Sequence, residues 1–389
     1  VATRETGGCA LATRTVLMAG GGYAGSGIAA KLAALDARRS FNVVILDPSE
    51  FHVVKTRLHQ IAVEPERDIL IRIPTRTLAD FARADFINSA VEKVDFKNRR
   101  IFANGSGYDW DLLVVATGAE PNYFGIPGAA EHSENILSYE AAMSCGLRIK
   151  SLGMNKRGAS KKRIAVCGAG LLGVEFAAQL RQRYGPKKCE IVIIEKQERI
   201  IAASQCGDAQ RDYISAFFKR ENIKALTGTT ISKLSPGRVC LEEGKHIDCD
   251  LTVWCGGIKR TGIGTAASGG LVVDPTLVCR EHENVFGAGD SALVSSPLPN
   301  ANSLTAQRAI YHADIAAKNI IRSAIGLRSR AARYKPKGEL ISLGDFDAVG
   351  VVSGAAFYGS ACAAAKKANE MKYISTLFGT AINHIRIHR

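Results

Sequence analysis

The chain has 389 residues, 46% of them hydrophobic, and carries 51 Lys and Arg against 37 Asp and Glu, a net charge of +14. That length predicts two to three domains with ample core. No apolar run reaches the roughly 18 residues that a membrane-crossing helix needs, which excludes a spanning protein.

Residues 1–14 read as a loose polar lead-in. The chain starts at Val1 without an initiator Met, as a processed or trimmed chain would, and it has no charged segment followed by an apolar one, so no secretory signal is expected. Residues 15–19 then form a buried-strand run that leads into Gly20, Gly22 and Gly25, followed by a helical stretch, and the next apolar run, 43–47, ends on Asp47. Strand, Gly-x-Gly-x-x-Gly turn and helix together are the dinucleotide-binding signature. The glycines permit the turn and let the backbone approach a pyrophosphate, while the helix N-terminus offers free N–H groups to the phosphates. The acid at the end of the companion strand is placed to accept hydrogen bonds from a ribose.

The pattern recurs. Residues 163–167 lead into Gly168, Gly170 and Gly173, and residues 191–195 end on Glu195, which follows its first glycine by 27 positions just as Asp47 does. The usual spacing is about 20, so a long first helix is expected in each copy. A second pair of motifs is duplicated too: Asp111 opens an apolar run closing on Ala116, Thr117 and Gly118, and Asp250 opens one closing on Gly256 and Gly257. The offsets are 139 residues for this pair and 148 for the glycine loops, close enough to mark one duplicated architecture. Glu195 would repel a 2′-phosphate and so favours NADH over NADPH, with Lys196 and Arg199 moderating that preference. Residues 150–162 are a basic, Gly- and Ser-rich surface loop before the second copy, and 295–302 a loop with Pro297 and Pro299. Between the second copy and that last loop, residues 283–290 close on Gly287, Gly289 and Asp290.

Ten cysteines are scattered along the chain with neither CxxC nor CxxxxC spacing, so they read as buried small residues of a reducing compartment. No Cys/His spacing suggests a metal, and His384 and His388, four apart, lack further ligands. With no disulfide to receive them, electrons passing between two nucleotides would leave to a diffusible acceptor.

Taken together, the first glycine loop, the Ala116–Gly118 turn and Gly287–Asp290 resemble the two-dinucleotide-binding-domain flavoproteins, the group that includes the pyridine nucleotide-disulfide reductases. The resemblance implies FAD on the first loop, with Asp290 at its ribityl and phosphate region, and NADH on the second. Within that group the chain looks most like the type II, non-proton-pumping NADH:quinone oxidoreductases. Residues 51–60 resemble the segment in which a threonine, here Thr56, lies near the flavin; residues 305–311 resemble the Ala-Gln-x-Ala-x-Gln quinone motif, with Gln307 in place and Tyr311 where the second glutamine stands; and 334–350 with Lys366 and Lys367 resemble the C-terminal region. Tyrosine still hydrogen-bonds a quinone oxygen and stacks on its ring, although it also suits plain helix packing. In the family an acid matching Glu175 reaches the nicotinamide and the quinone side of the flavin; here it falls in what reads as the first turn of the second helix, where the helix dipole alone would also favour it.

The expected fold is α/β: two Rossmann-like units, FAD (15–120 and 260–325) and NADH (121–259), the second inserted in the first, followed by a basic, amphipathic, membrane-associating region (326–389). From Arg322 onward there are eleven Lys and Arg against four acids, and residues 371–389 mix seven apolar residues with Lys372, Arg386 and Arg389, a pattern suited to an interfacial helix on an anionic membrane surface. Packing on its own domain, or in a homodimer, is the competing use of that helix. The implied partner is a membrane quinone, reached by a peripheral enzyme on the cytoplasmic face of a membrane. A sulfide:quinone oxidoreductase using Cys145 and Cys362 is the alternative, and the intact second loop argues against it. A redox-quiet binding protein ranks below both, and nucleic acid is not expected because no recognition motif accompanies the charge.

Overall fold

The computed structural model describes residues 13–67, 71–261, 263 and 269–385, with side chains to residue 378. Most of the polar lead-in and residues 386–389 lie outside the described residues, and the histidines at 384 and 388 lie outside the described side chains.

Two five-stranded parallel sheets carry the architecture; four strands of each share one connectivity, while the edge strand joins last along the chain in the first sheet and first in the second. In the first the order is Val285–Gly287, Leu112–Val115, Arg14–Ala19, Phe41–Asp47, Ala84–Asn88; in the second it is Glu134–Asn135, Leu251–Trp254, Lys162–Cys167, Cys189–Ile194, Ile223–Leu226. Even the register repeats, since Val16 pairs with Leu112 and Arg14 with Phe41 just as Ile164 pairs with Leu251 and Lys162 with Cys189. The duplicated aspartates explain part of this: Asp111 Oδ2 accepts the Thr15 N–H at 2.7 Å and Asp250 Oδ2 the Arg163 N–H at 2.8 Å, so each pins the start of the glycine-loop strand to its neighbour. Helices cover the sheets, which is why the central strands are near-continuous aliphatic runs; all four residues of Leu112–Val115 and of Leu251–Trp254 are buried. The second unit is inserted in the first, because the strand Val285–Gly287 closes the first sheet after the second is complete. The duplication reaches further than the motifs, for each unit also carries a three-stranded antiparallel meander, Lys93–Asp95 to Ser106–Asp109 and Ile231–Ser235 to His246–Asp248.

The C-terminal part is a three-stranded antiparallel sheet (Gly338–Ser342, Ala348–Val352, Ala355–Tyr358) followed by the helix Gly359–Ile385. Among the described residues no helix is long and apolar enough to cross a membrane. As far as residue 378 the apolar stripe of this helix faces inward. Tyr373 stacks on Tyr23 with ring centroids 4.6 Å apart, Phe378 meets Phe81 edge-on at 5.2 Å, and Ile374 and Leu377 are buried. Four of the seven residues that suit an interfacial helix thus pack on the protein itself; the other three, Ile382, Ile385 and Ile387, lie outside the described side chains.

Candidate active site

The glycine loops are built as two matching cradles. Gly20 and Gly168 have φ of +111° and +107°, a region L side chains avoid, and a Cβ on either would land on the carbonyl of Ala116 or Cys255. A Cβ on Gly25 or Gly173 would land on the carbonyl of Gly20 or Gly168, so helix and strand approach as closely as backbone permits. At Gly22 and Gly170, by contrast, a Cβ would meet nothing within 4 Å, which leaves open space in front of each helix N-terminus. Asp47 Oδ2 accepts the Gly21 N–H at 2.6 Å and Glu195 Oε2 the Ala169 N–H at 2.7 Å; their second oxygens accept from Ser49 at 2.7 Å and Gln197 at 2.8 Å. Each carboxylate is therefore oriented by its own loop. Burial pushes the Asp47 carboxyl above its ordinary range, and the N–H groups of Gly21 and Ser49 only partly offset this. Arg199 pairs with Asp208 at 3.0 Å.

The remaining nucleotide-side residues frame these cradles. Thr117 and Thr261 exchange hydroxyl-to-carbonyl hydrogen bonds at 3.1 and 3.0 Å, and the Thr261 N–H donates to the Gly118 carbonyl at 3.1 Å, locking the crossover between the units. Gly257 has φ +152° and lies against the Phe124 ring, while Gly256 lies under the Trp254 indole. Thr56 occupies the short turn Lys55–Arg57, beside Tyr23 and Glu370. Asp290 Oδ1 is buried without a protein partner, as an acceptor reserved for a ligand hydroxyl would be. Burial raises the Asp290 carboxyl pKa, opposed mainly by Arg308. Sequence reading passed over Arg308. It is fully buried and donates to the carbonyls of Gly289 at 2.9 Å and Ala301 at 2.7 Å, which fixes the Asp290 turn. A charged residue amid alanines was its signal.

A second cluster forms where the two units and the C-terminal helix meet. Glu175 is the fifth residue of the helix Leu171–Lys188, just past the first turn in which it was expected, because that helix starts directly after Gly170. It is 7% exposed; one oxygen accepts from the Ser342 N–H at 3.0 Å and from the Lys366 ammonium, and the other lies 3.7 Å from His59 Nδ1. Burial works against its charge, yet Lys366 outweighs it with help from His59 and Ser342, and the net effect lowers the carboxyl pKa. His59 itself is held down to about 4 by burial, so at neutral pH it stands beside Glu175 as a neutral ring rather than as an ion-pair partner. One turn further along the C-terminal helix, Glu370 pairs with Arg57 at 3.0 Å. His59, Arg57 and Glu370 were not singled out by sequence because nothing local marks them.

Gln307 is engaged by the segment that follows its helix. Its Oε1 accepts from the Lys337 N–H at 2.7 Å and the Tyr334 hydroxyl at 3.1 Å. The Tyr311 hydroxyl accepts the Arg333 N–H at 2.9 Å, and its ring lies 5.6 Å from that of Tyr334. Lys367 turns the other way from Lys366 and donates to the Asp345 carbonyl at 2.8 Å on the exposed side of the helix. Cys145 and Cys362 sit in different parts of the interior, with burial pushing the first thiol well above its ordinary value and the second to about 11.

Three buried histidines give the fold a pH signature. Burial lowers His52 and His59 to about 4 and His312 to about 3, from 6.5. Between those values and 6.5 the unfolded chain binds protons that the folded one refuses, so stability falls as pH falls, by up to ~1.4 kcal/mol per pH unit for each ring. The thermal midpoint is expected to drop steadily from pH 6.5 towards 4.5. A flat midpoint over that window would contradict it.

The fold and cradles define a two-dinucleotide flavoprotein, and the chain belongs to the pyridine nucleotide-disulphide oxidoreductase family, whose profile matches residues 14–318. More particularly, the type II NADH:quinone oxidoreductase of Staphylococcus aureus is 25% identical over 395 residues, covering 95% of this chain and 97% of its own. The resemblance drawn from the motifs is met by relatives of that name. Among solved structures, NDH2 from Plasmodium falciparum in complex with NADH superposes with a TM-score of 0.81 at 14% identity, covering 95% of this chain and 97% of that one. The sulfide:quinone oxidoreductase from Aquifex aeolicus gives 0.80 at 18%, covering 95% and 92%. At those identities the structures speak for the fold.

Proposed function

We propose that this protein is an FAD-dependent NADH:quinone oxidoreductase, with FAD on the first loop and NADH on the second, that moves two electrons to a membrane quinone without pumping protons. The observation that carries this reading is the meeting of Glu175, from the NADH-loop helix, with Lys366 and His59 beside the segment around Thr56. Bound FAD supplies the hydride acceptor and the electron donor. The protein's share is positional: the glycine cradles hold the two pyrophosphates, Asp47 and Glu195 engage riboses, Glu195 favours NADH over NADPH, and Asp290 takes a ribityl hydroxyl. Glu175 and Lys366 hold a proton and a charge at the quinone side, while Gln307 and Tyr311 shape that side through the segment 333–338. Lys367 borders it at the exposed surface. The units run over 15–120 with 260–325, 121–259 and 326–389. Attachment is peripheral, on the cytoplasmic face, through the basic C-terminal region.

An anaerobic experiment tests this. NADH is expected to bleach the flavin band and a short-chain quinone to restore it; an unbleached band would end the reading. Because both thiols are protonated and buried at neutral pH, they are poor nucleophiles. Cys145→Ala and Cys362→Ala are therefore expected to keep NADH:quinone turnover within about twofold of the parent, and sulfide is expected not to bleach the flavin. Bleaching by sulfide that disappears in either variant would favour the sulfide reading instead.

A further inference from the structure

The C-terminal helix reaches three parts of the molecule with one stripe. Lys366, Glu370 and Tyr373 follow one another at helical spacing, and they contact the Glu175 carboxylate, the Arg57 guanidinium and the Tyr23 ring in turn. At Tyr373 the stripe touches the first glycine loop. The Tyr373 hydroxyl lies 2.9 Å from His52 Nε2, and His52 Nδ1 lies 3.2 Å from the Gly21 carbonyl. A carbonyl can only accept, so Nδ1 carries the hydrogen, Nε2 accepts and the tyrosine donates. His52 is 2% exposed and burial lowers its pKa to about 4, so this polarity persists at neutral pH.

Gly21 is therefore held through both of its backbone polar groups. Its N–H goes to Asp47 at 2.6 Å, and its carbonyl takes the Ser26 hydroxyl at 2.6 Å besides His52. That residue lies between Gly20, whose φ is +111°, and the open space at Gly22. On the reading that this loop holds FAD, we propose that His52 and Tyr373 are positioning residues that couple FAD binding to docking of the C-terminal helix. Coupling of this kind is reciprocal. FAD fixes the loop, the loop fixes His52, and His52 fixes the helix that seats Lys366 on Glu175. A docked helix in turn tightens the hold on FAD.

Apoprotein titrated with FAD, followed by flavin fluorescence, tests the first half. Tyr373→Phe keeps the ring stack on Tyr23 and removes only the hydroxyl; His52→Phe keeps a ring and removes both bonds. Each is expected to weaken FAD binding by roughly threefold to tenfold, and the double variant no more than the worse single one, because both act through one chain of bonds. Trypsin cleavage after Lys366, Lys367 and Lys372 tests the second half: FAD should slow it in the parent, and this protection should shrink in Tyr373→Phe. If Tyr373→Phe lowers only the melting temperature of the apoprotein, leaving FAD affinity and FAD-dependent protection unchanged, the coupling is wrong. No FAD binding by the parent at all would instead overturn the assignment of the first loop.

Discussion

Replacing Lys366 with methionine is expected to leave flavin reduction by NADH within a few-fold of the parent and to slow reoxidation by quinone about a hundredfold or more, the scale of a lost proton donor or acceptor. Lys366 is the cation that keeps the buried Glu175 ionised. Without it, the carboxylate retains the Ser342 N–H and a neutral His59. It then either remains charged, at a cost of about 3 kcal/mol or more for an uncompensated buried ion, or takes up a proton. Stopped-flow measurement of the two half-reactions separates the effects. The double variant Lys366→Met, Glu175→Gln should recover stability but not quinone reduction, since the charge problem is gone while the proton-holding pair is still absent. Normal reoxidation in Lys366→Met would remove the pair from the quinone step.

The second large effect is expected at Gly170. Its added Cβ would meet no protein atom within 4 Å, so Gly170→Ala should fold with the parent's stability and retain FAD. With NADH on the second loop, as proposed, that methyl would stand where the pyrophosphate must come close to the backbone, and displacement of this order costs about a hundredfold. Flavin bleaching by NADH is expected to slow by that factor, whereas reoxidation of chemically reduced protein by quinone should not change. Gly173→Ala provides the contrast, because its Cβ would land on the Gly168 carbonyl and the loop itself must shift. It should lose thermal stability as well as NADH-driven bleaching. If Gly170→Ala is bleached as fast as the parent, NADH does not use the second cradle.

What could be read from the sequence and what could not divide along a physical line. The two glycine loops, Asp47 and Glu195 were legible because a strand, turn and helix fold against each other within some thirty residues, and the steric demands at Gly25 and Gly173, set by the carbonyls of Gly20 and Gly168, are met or broken locally. Duplication of Asp111 and Asp250 was visible too, though not that each ties its sheet together through a backbone N–H. The cluster around Glu175 was only half legible. Lys366 and Lys367 are adjacent in sequence and equal in chemistry, but successive helical residues point about 100° apart; only Lys366 meets Glu175, and Lys367 faces solvent.

Periodicity likewise showed that the C-terminal helix has an apolar stripe but could not show what covers it. Lipid and a protein interior are both favourable to the same residues, and the choice is made by whether a complementary surface exists elsewhere in the chain. Here Tyr23, His52 and Phe81, some three hundred residues earlier in the sequence, supply it. The sequence by itself determined the fold class, both glycine loops and the acids that cap them, since the strand, turn and helix of each depend on short-range sterics and hydrogen bonding. Tertiary structure alone decided which charges face one another, which lysine meets Glu175 and where the last helix lies, because those contacts join residues whose separation along the chain leaves no periodic or local trace.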